Sequence, residues 1–245
     1  MGVSMKKALA AVGIYLAANS AAWADVSIAA QQIPGVYTTE GNGAYDQVYA
    51  AIEKEVGGLP GKLQVVPAGR AIALYSNKQV ECQTPANSDA DFYPVAFPTV
   101  QSKPFNLAKI YIFSKPGEAP VTTLAALAGK RVAVRQGFNY GKVFESAGLN
   151  VEKGPSIEAN VKKLLDGRVD VLVDFVPDAW DAFAGLKMAP LPYDAAKPVA
   201  VHQDAVVCRD TPETRVLIEK INAGIQGLKG KGKLKELLGE AYIPE

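Results

Sequence analysis

The sequence predicts an α/β protein built from two similar βαβαβ units whose strand ends face each other across a central cleft. Three observations predict it. From Gly129 to Asp174, apolar runs alternate with helical stripes in the order strand, helix, strand, helix, strand. Val26 to Thr84 repeats that order. The residues also echo one another, because Pro67 to Val80-Glu81 encloses one helix and Pro155 to Val169-Asp170 encloses its counterpart. Strands joined through helices in this way run parallel with right-handed crossovers. Ligands then bind outside the carboxyl ends of the strands, and two such rows facing each other enclose a small molecule.

Taken in order, the chain opens on a basic and then apolar stretch. Lys6 and Lys7, the run Ala8 to Ala18 and the small-x-small triplet Ala22-Trp23-Ala24 predict a cleavable secretory signal over residues 1–24, cut after Ala24. Val26 to Ala30 is the first mature strand, and Gln31 to Gly43 a long polar connection holding Tyr37 and Glu40. Tyr45, Val48, Tyr49, Ile52 and Val56 form a helical stripe stopped by Gly57-Gly58. Leu63 to Val66 is a strand, Arg70 to Lys78 a helix, and Val80 to Thr84 a third strand. A loop from Pro85 to Pro104 follows, then the strand Leu107 to Phe113 and a short helix, Leu124 to Ala128, capped by Thr122 or Thr123.

The second unit begins with Arg131 to Val134, which ends at Arg135-Gln136-Gly137-Phe138-Asn139-Tyr140-Gly141. Lys142 to Ala147 is helical, and Leu149 to Val151 a strand. Ser156 caps a helix with Ile157, Val161, Leu164 and Leu165 on one face, stopped at Gly167. Arg168 to Asp174 is the third strand, Trp180 to Met188 a helix, and Ala205 to Cys208 a returning strand. Thr211-Pro212-Glu213 is a cap, a first-turn proline and a first-turn acid, opening a helix that buries Leu217, Ile221, Ile225 and Leu228. The run Lys229 to Lys235 reads as a solvated face.

Of 245 residues, 49% are hydrophobic and 21% charged, the balance of a globular protein. Loss of Lys6 and Lys7 takes the formal charge from +1 to −1. A near-neutral chain has no general attraction for nucleic acid or anionic lipid. Cysteine usage leaves two readings open for Cys82 and Cys208, a bridge in an oxidising compartment or two buried thiols. No metal-ligand cluster and no cofactor motif occurs; Gly41-Asn42-Gly43-Ala44-Tyr45-Asp46 lacks the third glycine of a dinucleotide loop. The single histidine, His202, falls on the return connection and is expected at the surface.

The export signal, the doubled unit and the capped last helix resemble the family 3 extracellular solute-binding proteins. The match rests on Leu127 to Gly137, Leu164 to Asp170 and Ala205 to Glu213. The resemblance implies a type II periplasmic-binding fold, with lobe 1 from residues 25–112 and 204–245 and lobe 2 from residues 113–203. It implies a monomer that closes on a small polar solute without catalysis or cofactor, and an inner-membrane ABC permease as partner where the chain serves uptake. It also implies that the returning strand lies beside the third strand, which would bring Cys82 to Cys208 as a disulfide.

The candidate cleft offers Arg70 and Arg135 as cations favouring an anionic or strongly hydrogen-bonding group. Asn87, Ser88 and Asn139 supply hydroxyl and amide groups, Tyr37, Phe138 and Tyr140 rings, and Glu40 and Asp174 acids. Two departures from the family pattern stand out. Pro85 to Tyr93 contains no arginine to clamp a ligand carboxylate, and Phe175 occupies the place of the acid that holds an ammonium, with Asp174 one residue short. The alternatives on the same fold are a dehydratase-like enzyme, using Glu40 or Asp174 as general acid, and a receptor for a membrane sensor.

Overall fold

A computed structural model describes residues 26–245; the predicted signal segment lies outside the described residues. The first unit comprises β1 (Val26–Gln32), α1 (Ala44–Val56), β2 (Gly61–Pro67), α2 (Ala68–Ser76) and β3 (Cys82–Ala86). β4 (Thr99–Gln101) and β5 (Asn106–Phe113) lead out of it. The second unit comprises β6 (Arg131–Arg135), α3 (Lys142–Glu145), β7 (Asn150–Gly154), α4 (Ile157–Leu165) and β8 (Val171–Val176). α5 (Asp178–Gly185), β9 (Ala200–Arg209), α6 (Pro212–Gly230) and α7 (Lys233–Leu238) complete the chain.

The strands form one continuous curled sheet in the order β2-β1-β3-β9-β5-β8-β6-β7, with β4 also paired to β9. β1 is parallel to β2 and β3, and β6 is parallel to β7 and β8. Each unit therefore sets its first strand in the middle, its second outside and its third inside. The third strands meet a central antiparallel pair, β3 on β9 and β8 on β5. The doubling seen in the residues is a doubling of topology.

Local sequence explains most element ends. Ser156 Oγ accepts from Ala159 N at 3.2 Å, and Thr211 Oγ1 from Thr214 N at 3.3 Å, each satisfying a free first-turn amide. Gly167 takes φ 71° just after α4, a conformation that costs glycine little. The predicted stripe of α6 is buried with α1 against β1, β3 and β9. Lys229 and Lys231 sit in exposed ion pairs with Glu245 and Glu55, as a solvated face should.

Several element bounds differ from expectation. α2 starts at Ala68 rather than Arg70, with Pro67 as its N-cap. β8 starts at Val171 because Asp170 is held in the preceding turn, where Arg131 donates to both its carboxylate oxygens. The Pro85–Pro104 loop contains β4, a three-residue strand too short to leave a periodic signal. β9 begins at Ala200, five residues before the predicted returning strand, because it pairs with β5 as well as β3. That extension places His202 opposite Ala108 in the sheet, so the surface position expected for it is corrected: the residue is buried, at 4% exposure. Cys82 and Cys208 face each other in the β3–β9 register and are joined as a disulfide.

Candidate functional site

Two polar constellations lie where the two units converge. The first is built from the ends of β6 and β8. Arg135, the last residue of β6, donates through Nε to Asp174 Oδ1 at 2.8 Å, and its Nη2 contacts Asp174 Oδ1 and Asp178 Oδ2, each at 2.7 Å. The Phe138 ring lies 3.9 Å from the guanidinium carbon, close enough for a cation–π contact. Burial opposes the charge on Arg135, and the two carboxylates more than offset it, holding the guanidinium above its usual pKa. Burial pushes Asp174 up to about 6 against the pull of Arg135, and raises Asp178 in the same direction. Asp174 Oδ2 is buried without a partner among the described residues.

The second constellation sits on the central strands. Asn106 Nδ2 donates to Tyr45 Oη at 2.9 Å, and the Tyr45 hydroxyl donates to Asp204 Oδ2. Asp204 Oδ1 lies 2.8 Å from His202 Nδ1. With both Asp204 oxygens accepting, the Nδ1 proton belongs to the histidine, which leaves Nε2 as an acceptor in the neutral ring. Nε2 is buried and has no partner among the described residues. Phe92, Tyr93 and Phe175 surround the imidazole edge-on, with centroids 5.0, 5.8 and 6.2 Å away.

These constellations line two adjoining spaces. A small cavity of about 30 Å³, room for one or two water-sized groups, is lined by Gln31, Tyr93, Asn139, Phe175, Asp178 and His202 among others. A larger one of about 340 Å³ runs from Gln32–Gly35 to Arg135, the first turn of α4, Asp178 and Asp181. Ile33, Phe138 and Asp178 border both. The units also touch outside these spaces. Gly137, at φ 85°, would place a Cβ 3.2 Å from the Gly69 nitrogen, so a side chain there would be both tight against the facing backbone and strained in its own.

Of the residues singled out in the sequence, Arg135, Phe138, Asn139 and Asp174 come together here. Tyr140 stays just behind, its hydroxyl accepting from Arg135 N at 2.8 Å. Tyr37 is buried in the core of the first unit, 5.6 Å from the Tyr45 ring, and lines neither space. Glu40 is exposed and bonds Thr39. Arg70 is exposed on α2 and borders neither space. Asn87 and Ser88 line a separate surface depression with Gln101 and Gln203. Arg135 offers no free positive charge, because two aspartates already engage it. Sequence reasoning missed His202, Asp204, Tyr45 and Gln31. The legible signal was His202-x-Asp204, which shares one face once the strand is extended back to Ala200.

No protein-family model and no curated protein matches the chain. Solved structures do. The GluR0 ligand-binding core from Nostoc punctiforme, in complex with L-glutamate, superposes with a TM-score of 0.70 over 89% of this chain and 100% of that one, at 18% identity. The chain has the type II periplasmic-binding fold. The substrate-binding protein of an amino acid ABC transporter shares the fold at a TM-score of 0.64 and 17% identity, covering 88% of this chain and 98% of its own. The ancestral amino acid-binding protein AncCDT-1, a precursor of cyclohexadienyl dehydratase, matches at 0.61 and 16%, covering 90% and 96%. In this type II periplasmic-binding fold, the two spaces lie between the lobes. Among the described residues, no group of three or more His, Cys, Asp or Glu is placed to hold a metal ion, and no helix is long and apolar enough to cross a membrane.

Proposed function

We propose that the protein is a periplasmic solute-binding protein that encloses a small polar molecule between its lobes and delivers it to an inner-membrane ABC permease, acting as a monomer without catalysis. The observation that carries this is the pair of adjoining spaces where the units converge, lined by residues of both units, the smaller one also by Ala108 of β5 and His202 and Asp204 of β9. The predicted signal over residues 1–24 supports export. The lobes divide as residues 25–112 with 204–245 and residues 113–203, so β5 and β9 act as the hinge. A thermal-shift screen of small solutes tests it: a ligand at about 100 times its Kd adds about 2.7 kcal/mol of stability. A chain whose melting temperature no polar solute raises is not a solute-binding protein.

One observation favours a second reading, an enzyme on this fold. Asp204 bonds His202 Nδ1 at 2.8 Å and both residues line the smaller cavity, a carboxylate–imidazole pairing that a general base uses. Glu40 and Asp174, the candidates for a general acid, are respectively exposed and tied to Arg135. Mass spectrometry of a bound solute recovered after incubation separates the two readings. A chemically changed solute supports the enzyme, and an unchanged one the receptor.

A further inference from the structure

We infer that the solute is an organic amine without a carboxylate, and that its protonated nitrogen seats in the small cavity on His202 Nε2; this rests on the solute-binding function proposed above. The first observation is the unanswered acceptor. His202 is 4% exposed, its Nδ1 is committed to Asp204, and its Nε2 has no partner among the described residues although the residue lines the cavity. A buried acceptor without a donor is costly, so a donor completes it. An ammonium group is close to a water molecule in size, which suits a space of about 30 Å³.

The second observation is charge. Asp178 and Asp204 both line the cavity. Arg135, the cation paired with Asp178, is shared between Asp178 and Asp174. One guanidinium against three carboxylates leaves the region net negative, in a low-dielectric setting where charge is strongly felt. The larger space adds Glu158 and Asp181, and Glu158 lies in the first turn of α4, where it answers the positive helix end. Among the described residues, Arg135 is the sole lysine or arginine lining either space. A ligand carboxylate would meet acids there and no uncommitted cation, which selects against it.

The third observation is the wall. Tyr45, Tyr93, Phe138 and Phe175 border the small cavity, and aromatic faces attract cations. Because Ile33, Phe138 and Asp178 border both spaces, a nitrogen in the small one leaves the carbon chain to extend into the larger.

Calorimetric titration of the purified exported protein tests this with five probes: n-butylammonium, 1,4-diaminobutane, tetramethylammonium, butyrate and L-glutamate. Saturable binding of the first two, none of butyrate or glutamate, and weaker binding of tetramethylammonium, which has no N–H to donate, are expected. His202→Asn keeps an amide donor towards Asp204 and removes the acceptor at the Nε2 position. It should weaken n-butylammonium binding about 10- to 100-fold, the equivalent of one hydrogen bond to a charged group. His202→Gln, whose carbonyl can reach the Nε2 position, should restore part of the loss, and Asp178→Asn should weaken binding independently. Binding of butyrate or glutamate in preference to the amines overturns the inference, as does unchanged amine affinity in both His202→Asn and Asp178→Asn. If the amines fail while another solute from the thermal screen binds, the amine assignment falls and the solute-binding function stands. If nothing binds, both fall.

Discussion

Asp174 shows how one buried carboxylate reports on its surroundings. It is fully buried, Oδ1 accepts from Arg135 Nε and from Phe175 N, and Oδ2 accepts from nothing among the described residues. Burial raises its pKa from 3.8 to about 6, so the native state holds a proton more tightly than the unfolded chain does. Stability should therefore rise as pH falls from about 6 towards 4, and the buried charge should weigh against the fold above that window. Asp174→Asn removes this contribution while keeping an acceptor for Arg135. The stability difference between wild type and variant, from urea unfolding at pH 4 to 7, should change by about 1–3 kcal/mol across the window. A pH-independent difference would show that Asp174 does not titrate there. This residue scale was the least legible in sequence. Arg135 ends β6, Phe138 and Asn139 follow it, and Asp174 was singled out as the end of a predicted strand although it lies inside β8. Tyr37 and Tyr140 were placed at the right ends, yet their rings turn into the cores. Which way a side chain points after the last strand residue depends on packing that no periodicity encodes. His202 was lost for a simpler reason, the late start at Ala205 assigned to its strand.

At the scale of elements, sequence and structure agree best where a chemical stop or start exists. Ser156, Thr211-Pro212 and Gly167 each set a helix end through their own hydrogen bonding or backbone freedom. Strand ends lack such signals and moved by several residues, β9 most, because partner strands decide where pairing begins. β9 is also the element that the disulfide secures. Cys82 and Cys208 are 126 residues apart in sequence and adjacent in register, so the bridge closes a loop holding all of the second unit. Replacing both cysteines by alanine should lower unfolding free energy by about 2–5 kcal/mol, chiefly by freeing the unfolded chain. Urea titration of the variant measures this. Because both half-cystines belong to lobe 1 in the division proposed above, solute affinity should change less than threefold, a shift of about 0.6 kcal/mol or less. A large loss of affinity in a folded variant would place the bridge within the hinge instead.

For the whole molecule, the question is what holds the lobes together. Phe92 belongs to the segment after β3, yet its ring is buried in the second unit's core with Tyr140, Phe144 and Phe175. Its carbonyl accepts from Asn139 Nδ2, and the neighbouring Asp91 carbonyl accepts from Lys142 N at 2.8 Å. The segment thus fastens one unit to the other beside the central strands β5 and β9. Removing a buried phenylalanine ring costs about 3–5 kcal/mol in a packed state and much less where the ring is already solvated. Phe92→Ala should therefore penalise the closed arrangement more than an open one, shifting the population towards open. Small-angle scattering of the solute-free variant should give a larger radius of gyration than wild type. Saturating solute should then compact the variant by the greater amount, while its affinity falls because closure is less favourable. Equal radii with and without the ring, and equal compaction on binding, would mean that the crossing strands alone hold the lobes and that Phe92 is ordinary core.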